Sequence, residues 1–471
     1  MKPILIRNGR VITASEDYVA DILCEGDTIR SIGRDLSAGP DVEVHDASGL
    51  LVFPGGVDAH THLDWEFGTA RTVDTFASGT RAAAFGGTTT IVDFCNQGSA
   101  TPLAALEEWR GRAETASVDV GAHLILNRVS DEALRDVRTL IEREGVTSFK
   151  LFMAYPNGLM LDDGEIFRVM RVTAEHGGIV CLHAENGPVI QVLVDDAVAA
   201  GNRSPNFHEI TRPSQLEAEA TQRAITLAGL VGAVTYFVHV SASASVQAVA
   251  HARQLGQPVH AETCPHYLFL TREEYDRPGF EAARFVMTPP LRTRDDQDAL
   301  WTGLRTGALS VVSTDHCPFC MSEQPYGMLF SKQQGRDDFS KIPNGAPGIE
   351  TRLSLVFDGG VRSGRISLNR FVELVSTAPA KLFGLYPQKG TIAPGSDADL
   401  VLFDPDETWT IRAAEHHSRV DYSLFEERSL SGRVKKVFLR GQLIVEDASW
   451  RGRDGMGRFL RRAPVPSSVS R

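Results

Sequence analysis

Apolar segments of strand length recur along the chain from about residue 55 onwards, and amphipathic stretches separate them. These segments are rich in Val, Ile, Leu and Phe, and they lie at 57–60, 89–94, 118–125, 148–152, 178–183, 235–240, 259–262 and 309–315. Short continuous apolar runs are typical of strands that are buried on both faces, as in parallel sheets. Eight such strands that alternate with helices predict an α/β fold, a (β/α)8 TIM barrel, over residues 55–375.

Two of the stretches between these strands carry clear helix boundaries. Ser130 is placed to cap a helix, and Gly145 is placed to end it. Asp162 is followed three positions later by Glu165, which is the spacing of a capping box, and Gly177 is placed to end the second helix. The alternation of strand and helix patterns therefore supports the barrel prediction.

The segments on either side of the barrel have a different pattern, with short alternating strands and glycine or polar turns. Residues 1–54 carry several such strands, and the pattern returns in residues 376–450. Neither segment alone could bury much apolar surface, so we predict that the two pair into one composite β-sandwich domain. Residues 451–471 are rich in Arg and Pro and are expected to form a tail that could contact a neighbouring subunit.

The charge and hydropathy of the chain exclude several classes of partner. The chain has 60 acidic and 48 basic residues, which gives a formal net charge of −12. Nucleic acids and anionic membranes attract clustered positive charge, so neither is an expected partner. No apolar run approaches the roughly 18–20 residues of a membrane-spanning helix, and the first apolar run is too short for a signal peptide.

The six cysteines are scattered through the chain. This usage is typical of reduced thiols, so we expect a cytoplasmic protein. Cys317 and Cys320 form a CxxC motif, but a second CxxC motif is missing from the sequence. We therefore interpret these two residues as incidental thiols, in preference to a zinc-ribbon or redox motif.

Polar residues with metal-binding chemistry lie at the ends of five of the predicted strands. His60 and His62 are two positions apart on one strand, so their side chains point to the same face. The carboxyl ends of barrel strands meet at one face, where catalytic groups of barrel enzymes collect. Clustering buried polar groups without an ion would be costly, so the set predicts a metal centre. Its members are His60, His62, Lys150, His183, His239 and Asp315.

The same segments resemble the dihydropyrimidinase/hydantoinase family of cyclic amidohydrolases. The resemblance is carried, in order along the barrel, by residues 56–64, 147–155, 182–187, 238–241, 261–265, 313–319 and 344–350. It implies a barrel with a β-sandwich, a homotetramer or homodimer, and a small cyclic amide as substrate. It also implies two metal ions, usually zinc, that are bridged by a carboxylated lysine and a hydroxide.

The resemblance further implies a role for each member of the predicted metal centre. Lys150 would carry the carboxyl group, which requires a neutral amine; burial and nearby metal charge both lower a lysine pKa. His60, His62 and Asp315 would hold one metal ion, and His183 and His239 would hold the other. Asp315 would also pass a proton from the hydroxide to the departing ring nitrogen. The Tyr155 hydroxyl would stabilise the oxyanion that forms on the attacked carbonyl.

Substrate-binding positions follow from the same resemblance, with two departures from the family pattern. Thr288 and Asn344 would read the ring through their backbone, although the family more often has Ser at the first of these positions. Trp65, Phe152 and Leu159 would line the pocket for the exocyclic substituent of the ring. The family usually has Met-Pro-Phe where this chain has Trp65-Glu66-Phe67, so the pocket for the substituent is expected to differ from that of the family while the reaction stays the same.

These features predict hydrolysis of dihydropyrimidines or 5-substituted hydantoins to N-carbamoyl amino acids. Dihydroorotase is disfavoured because Asp64 stands where that enzyme usually has an Arg for the substrate carboxylate. An allantoinase or another cyclic-ureide amidohydrolase is the alternative, although its acidic-Pro-Gly sequence is missing here. A non-catalytic tetrameric scaffold is a distant alternative, because such relatives have lost the metal ligands that this chain keeps.

Overall fold

The computed structural model describes residues 2–37, 39–156 and 158–465, and a parallel barrel forms its centre. Within these residues the barrel has eight strands: Gly56–Thr61, Thr88–Asn96, Asp119–Ile125, Ser148–Phe152, Ile179–His183, Val234–Phe237, Val259–Thr263 and Val311–Val312. Neighbours along the chain pair in parallel from the first strand to the eighth. The barrel closes where Thr61 bridges His316, and the His62 amide donates to His316 O at 2.9 Å. The predicted barrel is confirmed.

The sixth and eighth barrel strands end earlier than the sequence predicts. The sixth ends at Phe237 and the eighth at Val312, two or three residues before a predicted metal ligand. His239 and Asp315 have φ angles of 42° and 50°, in the left-handed region that no strand uses. The apolar runs therefore extend beyond the regular strands into turns.

The helices pack around the barrel and have the predicted boundaries. Ser130 caps Asp131–Thr139, a wider π-helical turn continues over Leu140–Glu144, and Gly145 follows with φ 69°. Asp162 and Glu165 form the capping box of Asp163–His176, which ends at Gly177 with φ 76°. Further α-helices are Phe76–Phe85, Pro102–Ala113, Gly187–Ala199, Phe207–Ile210, Ser214–Gly229, Ser243–Gln254, Pro265–Phe269, Arg294–Thr306, Arg352–Val356, Leu368–Val372 and Ala378–Leu382. No helix of the described residues combines the length and the apolar character needed to cross a membrane.

Both ends of the chain build one second sheet, as predicted. Its strands within the described residues are Ile4–Ile12, Asp17–Glu25, Thr28–Gly33, Glu43–Asp46, Leu51–Pro54, Leu400–Thr410, Ser429–Leu439, Gln442–Glu446 and Ser449–Trp450. Leu51–Pro54 pairs antiparallel with Leu400–Thr410, which joins the amino-terminal strands to the carboxyl-terminal ones. Ile6, Ile22, Leu400 and Phe438 share one buried apolar cluster, so neither segment forms its core alone.

The carboxyl-terminal segment runs across the amino-terminal end of the barrel as far as Val465, and residues 466–471 of the predicted tail lie outside the described residues. The Leu460 amide donates to Val120 O at 2.7 Å, and the Arg462 amide donates to Gly145 O at 2.9 Å. The Arg462 guanidinium is buried and donates to Ala122 O. This segment therefore covers the end of the barrel that lies opposite the predicted metal centre.

Candidate active site

One pocket at the carboxyl end of the barrel contains all six residues of the predicted metal centre. His60 and His62 lie at the end of the first strand, Lys150 lies within the fourth, and His183 ends the fifth. His239 and Asp315 lie in the turns after the sixth and eighth strands. The pocket is lined by His60, His62, Trp65, Lys150, Phe152, Tyr155, His183, His239, Thr288, Asp315, Cys317, Asn344 and Gly345. The structure thus brings together groups from five separate segments.

His60, His62 and Asp315 form a tight group. The Nε2 atoms of His60 and His62 lie 3.0 and 3.3 Å from Asp315 Oδ1, and all three side chains are buried. Their ligand atoms lie within 4.8 Å of one another, so one cation could contact all three. Burial alone would raise the pKa of Asp315, but His60 and His62 hold that pKa well below its usual range. The carboxylate is therefore ionised and available as a ligand.

The tautomer of His60 favours a positive charge between its ring and Asp315. His60 Nδ1 donates a hydrogen bond to the buried Glu262 carboxylate, so in the neutral ring Nε2 carries a lone pair. That lone pair faces the Asp315 oxygen, and two facing electron pairs need a cation or a proton between them. Burial alone would lower the pKa of His60, but Asp315 and Glu262 raise it. A carboxylate behind a histidine in this way is typical of histidines that bind metal.

His183 and His239 form the second pair of imidazoles. His183 Nδ1 and His239 Nε2 lie 2.9 Å apart. On its other side, His183 Nε2 donates to Glu185 Oε2 at 2.8 Å, which leaves the lone pair of Nδ1 facing His239. The Nδ1 atom of His239 is buried and has no hydrogen-bond partner among the described residues. Two imidazole nitrogens that converge in this way suit a divalent cation such as zinc.

Lys150 lies between the two groups of histidines and is fully buried. Its Nζ has no hydrogen-bond partner within the part of the chain that the structure describes. The ring centroids of Phe94 and Phe152 lie 4.7 and 5.1 Å from Nζ. Burial lowers the pKa of the amine to about 8, so about a tenth of it is neutral at pH 7, far more than of an exposed lysine. An unpaired amine in such a place is costly unless other groups complete its surroundings.

Glu262 and Glu185 support the imidazoles, and the sequence analysis missed both roles. Glu262 ends the seventh strand region and accepts hydrogen bonds from His60, from Tyr236 OH at 2.6 Å and from the His239 amide at 3.1 Å. Glu185 lies two positions after His183 and is buried against it. Such carboxylates fix the tautomer and the orientation of the rings. The signal was an acidic residue at a strand end, which by itself predicts no partner.

Three residues of the pocket have positive φ angles without being glycine. The angles are 66° at Tyr155, 42° at His239 and 50° at Asp315. Such backbone conformations cost about 1–3 kcal/mol and persist only where the surroundings enforce them. They lie where strands end and the side chain must turn into the pocket. The packing of the fold therefore holds these three residues in strained backbone conformations that direct their side chains into the pocket.

The predicted substrate-binding residues divide into those in the pocket and one behind it. Trp65, Phe152, Tyr155, Thr288 and Asn344 all line the pocket. Asn344 Nδ2 donates to the Tyr155 hydroxyl at 3.4 Å. Leu159 packs in the same buried apolar cluster as Trp65 and Phe152, but it does not line the pocket. Leu159 thus supports the wall from behind.

An outer cavity of about 730 Å³ leads into this pocket. It shares Tyr155, Thr288 and Asn344 with the inner pocket, so these three residues lie at the junction. Its volume is within the range of small-molecule sites. A small substrate could enter by this route and meet the junction residues before the metal ligands.

The loop that carries Thr288 has its backbone fixed by buried side chains. Phe285 O accepts from Tyr275 OH at 3.0 Å, Val286 O from Lys332 Nζ at 2.8 Å, Met287 O from His208 Nε2 at 2.8 Å, and Pro289 O from Tyr267 OH at 2.6 Å. The carbonyl of Thr288 accepts no hydrogen bond from the described residues. One free acceptor in a row of engaged carbonyls is therefore presented at the junction of the two cavities.

The fold and the pocket define the class of protein. A parallel barrel that carries imidazoles, a buried amine and a carboxylate at its carboxyl end is the architecture of a barrel hydrolase with a metal centre. A model of the Amidohydrolase family matches residues 51–444. The chain therefore belongs to the amidohydrolase family, within the dihydropyrimidinase/hydantoinase group that its motifs resemble.

Individual relatives match almost the whole chain. A D-hydantoinase of Streptomyces coelicolor is 48% identical over 465 residues, which covers 98% of this chain and 98% of the relative. The crystal structure of dihydropyrimidinase from Brevibacillus agri superposes with a TM-score of 0.96 at 47% identity and covers 98% of this chain and 99% of that one. An L-hydantoinase (dihydropyrimidinase) from Arthrobacter aurescens matches with a TM-score of 0.87 at 32% identity, over 98% of this chain and 100% of that one.

Proposed function

We propose that this enzyme opens the ring of 5-substituted hydantoins or dihydropyrimidines by hydrolysis of a ring amide bond, which yields N-carbamoyl amino acids. The single observation that carries the proposal is the unpartnered Lys150 amine among four imidazoles and Asp315. The relatives with nearly full-length matches are hydantoinases and dihydropyrimidinases by name. The greater identity to the D-hydantoinase than to the L-hydantoinase supports a preference for the D enantiomer.

The donors of the pocket fit two zinc ions. His60, His62 and Asp315 would hold one ion, and His183 and His239 would hold the other. Lys150, carboxylated by CO2 on its neutral amine, would offer an oxygen to each. When bound, two such ions supply hydroxide at neutral pH and polarise a carbonyl. Two buried nitrogens that face this centre, Lys150 Nζ and His60 Nε2, have no hydrogen-bond partner among the described residues, which supports this assignment.

Asp315 is positioned to carry a proton from the attacking hydroxide to the departing ring nitrogen. Its Oδ1 faces His60 and His62, which leaves the other carboxylate oxygen directed away from that contact. Because its pKa is held well below the usual range, the carboxylate is ionised at neutral pH, and its second oxygen would accept the proton of the attacking hydroxide. It then delivers that proton to the departing ring nitrogen, which would otherwise leave as a poor amide anion.

Tyr155 supplies a neutral hydroxyl at the attacked carbonyl. Burial raises the pKa of this hydroxyl to about 12, so it keeps its proton at neutral pH. Asn344 Nδ2 donates to the Tyr155 oxygen at 3.4 Å, which holds the hydroxyl at the junction of the two cavities. A donor aimed at a developing oxyanion typically contributes about 3–4 kcal/mol to catalysis.

The ring would be read by backbone groups at the junction of the cavities. The free carbonyl of Thr288 would accept from a ring N–H, and the Asn344 backbone would contact the other side of the ring. A change from Ser to Thr at position 288 leaves a backbone contact intact. Trp65 and Phe152 would face the exocyclic substituent, with Leu159 behind them. A bulky Trp65 favours small substituents at that position.

We also propose an oligomeric state and a cellular location for the enzyme. A homotetramer, or a homodimer, is proposed on the family resemblance, and light scattering on the purified enzyme would measure it. All six cysteines are buried and free, which suits a reducing cytoplasm. The six metal-centre residues are all kept, which argues against a scaffold. The nearly full-length relatives are hydantoinases and dihydropyrimidinases by name, which argues against an allantoinase.

A substrate panel on zinc-loaded enzyme tests the proposed function. Hydantoin, dihydrouracil, 5-substituted hydantoins of both enantiomers and allantoin would be assayed side by side, with bound zinc measured on the same sample. We expect ring opening of the first three classes and about two zinc ions per chain. Preference for allantoin would refute the substrate class, and a preparation without stoichiometric zinc or turnover would indicate a scaffold.

A further inference from the structure

Lys332 is a buried lysine outside the metal centre that joins two separate loops. It begins a short 3-10 turn, Lys332–Gly335, and its side chain is fully buried. Its Nζ donates to Val286 O at 2.8 Å and to Pro343 O at 3.0 Å. No carboxylate in the described ranges lies within ion-pair distance of this amine. The amine is therefore held by two backbone carbonyls.

The burial of this amine is costly. Removing an ammonium from water without a counter-charge carries a penalty of several kcal/mol. In agreement with that penalty, burial lowers the pKa of Lys332 to about 7. An apolar side chain of similar length would fill the space without this cost. The two hydrogen bonds are thus the specific contribution of the lysine.

Both carbonyls lie next to the positions that would read the ring. Val286 stands two residues before Thr288, and Pro343 immediately precedes Asn344. The Gly345 amide also donates to Val286 O, at 3.1 Å, so the two loops meet at this carbonyl. The Lys332 side chain is the only one in the described chain that hydrogen-bonds both loops at these carbonyls. The amine therefore adds a second link between the Thr288 and Asn344 loops, beside the hydrogen bond from the Gly345 amide.

The backbone of Lys332 is itself fixed to the turn that follows Asp315. The Lys332 amide donates to Cys320 O at 2.9 Å, and the Cys320 amide donates to Phe330 O at 2.8 Å. Cys317, in the same turn as Cys320, lines the pocket. The amine is thus anchored to the segment that carries the proton-transfer residue and reaches from there to both reading loops.

We propose that Lys332 is a positioning residue for ring binding, which holds the Thr288 and Asn344 loops at the spacing that the cyclic amide requires. This inference rests on the proposed function. It assigns no contact between Lys332 and the substrate, because the amine lies behind the two loops. Its loss should weaken the binding of the ring more than it slows the reaction of the bound ring.

The test is Lys332→Met, which keeps most of the length of the side chain and removes both hydrogen bonds. We expect the KM for hydantoin to rise about tenfold, because two buried hydrogen bonds are lost. The kcat per bound zinc should fall less than KM rises, and the zinc content should equal that of the wild type. Gln333→Met is the matched control: Gln333 Nε2 donates to Met321 O at 2.7 Å from the same turn, and its loss leaves the reading loops untouched.

A merely structural role predicts a different result. The variant would then have a lower Tm and a smaller active fraction, with KM within twofold of the wild type, and that result overturns the inference. If Lys332→Met fails to fold, Lys332→Gln is measured in its place. The Gln side chain is shorter than Lys, so its amide cannot donate to both carbonyls. An unchanged KM for hydantoin in Lys332→Gln also overturns the inference. The two claims fail in different ways. A wild-type enzyme that opens no hydantoin ring would refute the proposed function. An active wild type with a variant of unchanged KM would refute only the role of Lys332.

Discussion

Lys389 Nζ lies 2.6 Å from Asp119 Oδ2, and this buried ion pair joins the composite sheet to the barrel at the end opposite the active site. The same amine lies 2.9 Å from Asp397 and 2.7 Å from Asp399, which precede a sheet strand. Arg440 contacts Asp119 as well. One lysine therefore contacts three buried carboxylates that come from two different layers of the fold, and Arg440 supplies a second positive charge.

Lys389→Met should destabilise the enzyme without changing its chemistry. Removal of one partner of a buried ion pair costs about 3–5 kcal/mol, because the remaining charges stay buried without compensation. We expect a clear fall in Tm, measured by calorimetry, with KM unchanged in the protein that remains folded. The exposed Lys381, whose amine lies 4.9 Å from the Tyr386 ring centroid, provides the control: Lys381→Met should cost at most about 1 kcal/mol. Equal Tm values for the two variants would contradict the assigned role of Lys389.

The same cluster predicts sensitivity to acid. Burial alone would raise the pKa of Asp119, but Lys389 and Arg440 lower it below its ordinary value. A group with a lowered pKa contributes stability that is complete above its unfolded pKa of about 3.9 and is lost as the pH falls through the folded value. The Tm of the wild type should therefore decline below about pH 4, and the decline should be shallower in Asp119→Asn. Parallel curves for the two proteins between pH 6 and pH 3 would exclude Asp119 as the group responsible.

The barrel was predictable because its strands are continuously apolar. The strand Ile179–His183 is buried along its whole length and is apolar up to its final histidine, so its composition alone marks it as part of a covered parallel sheet. The ends of the sixth and eighth strands were not predictable to the residue. The left-handed φ angles at His239 and Asp315 are imposed by the packing around them, and no local sequence signal encodes them.

The meeting of the six polar residues at one end of the barrel was predictable for a related reason. Strand ends of a barrel converge, so polar residues at those ends must meet, and His60, Lys150 and His183 could be placed from their positions alone. The hydrogen bonds that support these residues could not be predicted from the sequence. Glu262 lies 202 residues from His60 in the chain, and Lys332 lies 46 residues from Val286, so their pairing depends on the folded geometry of the loops.

Lys150→Ala tests the assignment of the buried amine. If Lys150 carries a carboxyl group that joins the two ions, its removal should abolish both zinc retention and ring opening, since the histidines alone would lack a shared ligand. Zinc would be measured by elemental analysis, and the intact mass of the wild type should show the added mass of one CO2. Near-wild-type turnover with tightly bound zinc in the variant would exclude the bridging role.

Tyr155→Phe tests the assignment of the hydroxyl. Loss of one oxyanion donor should lower kcat by about 100-fold, with a smaller change in KM, because the hydroxyl acts mainly on the charge that develops during the reaction. The zinc content should not change, since no ligand is removed. A variant that keeps kcat within threefold of the wild type would place the oxyanion elsewhere in the pocket.

Trp65→Met tests how the pocket selects its substituent. Trp65 is buried, lines the pocket, and its ring centroid lies 4.7 Å from that of His62, so it occupies space beside the predicted metal ligands. A methionine, as the resembled family usually has here, is smaller and more adaptable, and it should open room for a larger group on the ring.

We expect the ratio of kcat/KM for a 5-aryl hydantoin to kcat/KM for unsubstituted hydantoin to rise about tenfold in this variant, which is the usual range for a steric change in an apolar pocket. Trp450→Met, in the sheet far from the pocket, is the control and should leave the ratio unchanged. Because Trp65 contacts His62, zinc content must be equal in both variants for the comparison to report on the pocket. An unchanged ratio at equal zinc content would show that the substituent points away from Trp65, towards the outer cavity beyond Tyr155.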